Sequence, residues 1–182
     1  TLNPSSAASD VYKRQVSSIW AYDIISSSEF AFEAGENLEY DITYGFTVGK
    51  AVLALAKNGK DSLILKGYAR NNGFFKAVYP VRDTLETRVS KNGMWPSSFK
   101  KILNEGGWHS RTYIDIKKGM AHLSDSVYTD VGNKGKLKRF KDTSVTLVGQ
   151  HHTIMSAFYY FRTLDLTPGK EYVFKALSLI HI

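Results

Sequence analysis

From Glu36 onward, apolar and polar residues alternate with a period of two. In ENLEYDITYGF, Leu38, Tyr40, Ile42, Tyr44 and Phe46 fall on one face, and Asn37, Glu39, Asp41 and Thr43 on the other. That is the pattern of a half-buried strand. VGKAVLALAK follows, apolar on both faces, then the turn NGKD and a third strand, SLILKGYAR. The pair Asn58-Gly59 suits the positive backbone dihedrals of a tight hairpin.

The rhythm repeats through RDTLETRVS, the turn Lys91-Asn92-Gly93, the strand around SSFKKILN, and WHSRTYIDI, which Lys117-Lys118-Gly119 turns into MAHLS. Strands joined by such short turns predict an antiparallel meander, because parallel neighbours need long crossovers. Residues Ser126–Gln150 are Gly-punctuated and basic, and are expected to be mostly loop. In HHTIMSAFYYFRTLDL, Ile154, Ala157, Phe158 and Phe161 instead recur at i, i+3, i+4 and i+7, a helix face at about 151–163. Pro168-Gly169 ends it, and EYVFK, Glu171–Lys175, reads as the start of another strand. The expected class is mainly β: an antiparallel meander forming an open barrel-like or sandwich-like sheet, with one helix and further strands missing after it.

The two ends follow a different logic. Asp10–Gln15 can be encoded as GAT GTG TAT AAG AGA CAG, whose reverse complement translates in frame as LSLIHI, the last six residues. Selection on a folded chain does not produce such an inverted repeat. The DNA resembles the transposon mosaic end used in sequencing libraries, with Ser5–Ser9 as the adapter before it and Thr1–Pro4 as a sample index. Residues 1–15 and 177–182 are therefore expected to be adapter-derived and excluded from fold reasoning, with Thr1–Gln15 packing against nothing. VSSIWA, residues 16–21, reads as the tail of a signal peptide, and 22–176 as one incomplete β-rich domain of ordinary size.

Composition narrows the chemistry. The chain carries a formal charge of +7 and no cysteine, so disulfides, thiol chemistry and Cys-ligated zinc are excluded. The one basic cluster, Lys134, Lys136, Lys138, Arg139 and Lys141, reads as a solvated loop, and no nucleic-acid fingerprint accompanies it. No apolar run reaches the length of a membrane-spanning helix.

His151 and His152 are adjacent, so on a helix they diverge by about 100° and do not chelate one ion. HExxH, GxSxG, Walker A and GxGxxG patterns are all missing, so no catalytic, cofactor or metal residue is assigned. Glu36, Glu39, Asp41, Asp83, Glu86, Glu105 and Asp115 mostly alternate with apolar residues, which places them on a solvated face. Asp83, just after Pro80 in YPVRD, reads as a salt-bridge partner or turn cap. The 13% aromatic content exceeds what catalytic patterns explain. Most of it is expected in the core, and some of it lining an apolar groove. The groove candidates are Phe74, Phe75, Tyr79, Arg82, Asp83, Tyr159 and Arg162.

Phe32-x-x-Gly35-Glu36-x-Leu38-x-Tyr40 with Tyr44 and Gly49, then Tyr79-Pro80-Val81-x-Asp83, Pro96 with Phe99, and Glu105-Gly106 form an ordered series. Tyr113-x-Asp115, Ser156-Ala157-Phe158-Tyr159-Tyr160-x-Arg162, Leu164 and Pro168-Gly169 continue it. In order and spacing these resemble the exported bacterial family known as domain of unknown function 3108. The resemblance implies a β-rich domain of the Gram-negative periplasm or cell envelope, entered through a signal peptide and continuing for several strands past Ala176. It brings no catalytic residues.

The expected function is a non-catalytic envelope module that binds a lipid or glycan-like ligand in a sheet groove and is monomeric when complete. The alternative is a structural protein that docks an envelope protein through a sheet edge or basic loop. An enzyme is the weakest reading.

Overall fold

A computed structural model describes residues 33–43, 45–131 and 134–177. The readings for Thr1–Phe32, Tyr44 and residues 178–182, including most of both adapter segments and the signal-peptide tail, lie outside them. The element order is β1 (Asn37–Thr43), β2 (Thr47–Lys57), β3 (Ser62–Asn71), α1 (Gly73–Val78), β4 (Arg82–Ser90), β5 (Pro96–Glu105), β6 (Trp108–Lys117), β7 (Met120–Val131), β8 (Lys134–Thr146) and α2 (Ile154–Phe161). Each strand pairs antiparallel with the next, giving one eight-stranded meander in which β1 and β8 are not paired and the sheet stays open.

The period-two pattern divides the sheet into two faces. On the inner face Leu55, Leu63, Leu65 and Val89 pack with Met94, Met155 and Tyr159. Phe99, Ile114, Ala121 and Leu123 form a second cluster, with Leu147 and Leu177 against it. Leu85 touches both clusters and joins them into one layer. Burial of a side chain such as Met155 or Leu65 contributes about 2 kcal/mol.

Helix α2 lies over β3 and β4. Thr153 caps it in a capping box with Ser156, and Thr87 Oγ1 lies 3.1 Å from Thr153 Oγ1, so the polar groups pressed onto the sheet are satisfied. Met155 packs over Gly67, where a Cβ would meet it at 3.4 Å, about ordinary van der Waals contact.

Four sequence expectations need correction. Residues 126–150 are not mostly loop: β7 extends to Val131, and β8 pairs with it from Met120↔Thr146 to Val131↔Lys134 around a bulge at Val127/Tyr128. Lys136, Lys138, Arg139 and Lys141 are thus strand residues, and charges of this kind are tolerated on an edge strand because one side of it is solvated. Glu171–Lys175 does not form a strand; its neighbour Ala176 makes an isolated parallel bridge to His152.

The third correction concerns α2. It buries Met155, Ser156, Ala157 and Tyr159, while Ile154, Phe158 and Phe161 of the expected apolar face are exposed. The cap and the Met155–Tyr159 pair fix its rotation. Finally, α1 is a second helix where one was expected.

Candidate anion-binding cleft

Cross-strand register aligns three cations on the outer face. Lys50 is opposite Arg70 and Arg70 is opposite Arg82. Like charges directly opposed destabilise a sheet, so this row needs a reason beyond folding. The register follows from the hairpin at Asn58–Asp61, since Lys50 and Arg70 are equally distant from Lys60.

The β3–β4 connection folds over the end of that row. Asn71 pins it: its Nδ2 donates to Tyr79 O at 2.6 Å, and its Oδ1 accepts from Val81 N at 2.9 Å. Gly106 N donates to Pro80 O at 2.7 Å. The Tyr79 ring rests on Gly106, where a Cβ would come within 2.6 Å of it, and the positive φ of 58° there also favours glycine. Between this overhang and the sheet lies a cleft of about 650 Å³, lined by Lys50, Arg70, Lys76, Arg82, His109, Asn71, Asn72 and Asn104 among others.

The electrostatics are one-sided. Among the described residues no carboxylate lines the cleft. Lys50 has Asp41 at 4.0 Å, and His109 Nε2 lies 3.1 Å from Asp130 Oδ1. Arg70, Lys76 and Arg82 have no ion-pair partner among the described residues. Asn104 Nδ2 donates to Arg82 O at 3.0 Å and its Oδ1 lies 3.0 Å from His109 Nδ1, which holds the far wall. The donors lining this cleft are of the kind that make charge-assisted hydrogen bonds to phosphate or carboxylate oxygens.

The seven residues proposed from sequence separate into two groups. Phe74, Phe75, Tyr79 and Arg82 come together at this end of the sheet. Asp83 turns to the inner face, where its Oδ1 accepts from Asn104 N at 3.1 Å; burial raises its pKa, helped by the nearby Glu105.

Tyr159 and Arg162 sit on α2, across the sheet from the cleft. Arg162 makes a bidentate pair with Glu36 at 2.7 and 2.8 Å, so Glu36 is not on a solvated face as its alternation suggested. The Arg162 hydrogen bonds hold Glu36 below the usual carboxylate range, and burial with Glu36 nearby pushes the Tyr159 hydroxyl up to about 12. Lys50, Arg70, Lys76, Asn71, Asn104 and His109 were not singled out from sequence. Mirroring β2 and β3 about Lys60, in the Asn58–Asp61 turn, is the signal that brings Lys50 and Arg70 together.

His152 is fully buried, stacked 4.6 Å from both Trp95 and Tyr160, and burial holds its pKa down at about 4 against the pull of the Met94 backbone. Among the described residues no three His, Asp or Glu side chains are placed to hold an ion. No helix among them is long and apolar enough to cross a membrane.

Comparison with known proteins decides the family. The model of the protein of unknown function family DUF3108 matches residues 39–178. The chain belongs to the DUF3108 family. The matched span begins in β1 and takes in every strand after it, so the whole cleft lies within the DUF3108 region. No curated protein and no solved structure matches the chain.

Proposed function

We propose that this DUF3108 domain is a non-catalytic cell-envelope module that binds the phosphate or carboxylate group of a lipid- or glycan-like ligand. The observation that carries the reading is the cross-strand pair Arg70–Arg82, in a cleft also lined by Lys50 and Lys76; Lys50 has Asp41 at 4.0 Å, whereas neither arginine has an ion-pair partner among the described residues. A cleft of about 650 Å³ lies within the usual size range of ligand sites.

Titration with inorganic phosphate, followed by amide chemical shifts, tests it. Shifts are expected around Asn71, Asn104 and His109, and the double variant Arg70→Gln/Arg82→Gln should lose affinity by about tenfold or more. Equal affinity in that variant removes the reading. Fractionation of cells expressing the gene tests the envelope location.

A second reading, partner docking through a sheet edge, is favoured by β8, whose outer side is unpaired and whose Leu137 and Phe140 are exposed. Capture of an envelope partner that is indifferent to charge reversal at Lys136, Lys138 and Lys141 would count against it.

A further inference from the structure

Helix α1 is six residues long, carries the sequence GFFKAV and buries none of them. Phe74 is 75% exposed and Val78 65%, and Phe46, from the β1–β2 turn, is 60% exposed. Phe46, Phe74 and Phe75 make their own cluster at the end of the sheet: Phe46 and Phe75 have ring centroids 5.7 Å apart, and Phe74 and Phe75 6.0 Å. The feature is held rigidly, because the Asn71 clamp and the Pro80–Gly106 hydrogen bond fix both ends of the excursion. A preorganised apolar tip of this kind loses little conformational freedom when it is covered.

Lys76 lies within the same helix and lines the cleft, so the cations begin where the aromatic tip ends. An anionic bilayer presents the complementary arrangement, a layer of negative headgroups over an apolar interior. Aromatic side chains favour that interface, and nearby Lys and Arg are attracted to anionic lipid. Resting on the anion-binding reading of the cleft, we propose that this end of the domain docks on an anionic lipid surface. A headgroup phosphate enters the cation row while Phe46, Phe74, Phe75 and Val78 enter the interfacial layer.

The test uses the full chain with vesicles of phosphatidylcholine, with and without phosphatidylglycerol, alongside titration with inorganic phosphate. The wild type should sediment with phosphatidylglycerol vesicles and much less with phosphatidylcholine alone. Phe74→Ser/Phe75→Ser should weaken vesicle binding about tenfold while leaving phosphate binding unchanged. Arg70→Gln/Arg82→Gln should weaken both, the vesicle arm by about fivefold per charge.

Because the chain has no cysteine, Phe74→Cys labelled with an environment-sensitive dye gives a second readout, a blue shift on phosphatidylglycerol vesicles. Phosphate binding with no vesicle binding, an aromatic variant that binds vesicles like the wild type, or an unshifted dye overturns the docking proposal and leaves the anion site standing. Absence of phosphate binding overturns both.

Discussion

Arg162, on the inner face beside α2, has its guanidinium on Glu36 at 2.7 and 2.8 Å, whereas Arg82, on the outer face, has Arg70 as its cross-strand neighbour. The aromatic residues beside them differ in the same way. Tyr159 is fully buried next to Arg162, while Phe74, on the β3–β4 connection that precedes Arg82, is mostly solvated. One region therefore uses arginine and aromatic rings to close the fold, with Arg162 matched by Glu36. The other keeps the same residue types uncovered and unmatched, an arrangement that folding alone disfavours and a ligand can complete. Residue type does not separate structure from function here; partnership does.

The comparison breaks most visibly if the inner side is truncated. Tyr159→Ala should cost about 3–5 kcal/mol in urea unfolding, and the protein that remains folded should still bind phosphate.

Acidification is expected to come next in size. The folded state holds His152 neutral down to about pH 4, whereas an unfolded histidine takes up its proton near its ordinary value of 6.5. In that window the unfolded chain binds more protons. Stability is therefore full above about pH 6.5 and falls toward about pH 4, by roughly 3 kcal/mol at most. His152→Phe, which keeps a ring between Trp95 and Tyr160, should flatten this limb of the urea midpoint against pH.

Glu36→Gln removes the charge that Arg162 faces and should cost about 1–3 kcal/mol at neutral pH. The pKa of Glu36 is lowered in the fold, so its contribution is present above the ordinary carboxylate range and lost as pH falls through the depressed value. The variant should lack that acid limb. The smallest effect belongs to the outer tip: Phe74→Ser should change stability by no more than about 0.5 kcal/mol. A large loss there would place Phe74 in the core and erase the contrast.

Much of the architecture was legible because alternation and turn residues report directly on pleat and hairpin. β1 to β6 follow from ENLEYDITYGF, Asn58-Gly59, Lys91-Asn92-Gly93 and Lys117-Lys118-Gly119. β8 was not legible, because an edge strand hydrogen-bonded on one side carries Lys and Arg as readily as a loop does. The rotation of α2 was misread for a related reason. Ser156 is polar, yet it is buried in the capping box with Thr153, whose hydroxyl meets Thr87 on the sheet. Of the cleft lining, the sequence singles out Arg82 alone, while Phe74, Phe75 and Tyr79 belong to the overhang beside it. The cations that give it meaning are scattered over β2, β3 and α1, and become neighbours only through strand register.

The central claim is that Arg70 and Arg82 are kept opposed for an anion and not for the fold. The most direct measurement is thermal unfolding of the wild type and of Arg70→Gln/Arg82→Gln, in chloride and in phosphate at matched ionic strength. Relief of the like-charge pair should make the variant more stable in chloride by about 0.2–1 kcal/mol, and phosphate should raise the midpoint of the wild type only. A variant that is less stable in chloride, or that gains as much from phosphate as the wild type does, would contradict the account.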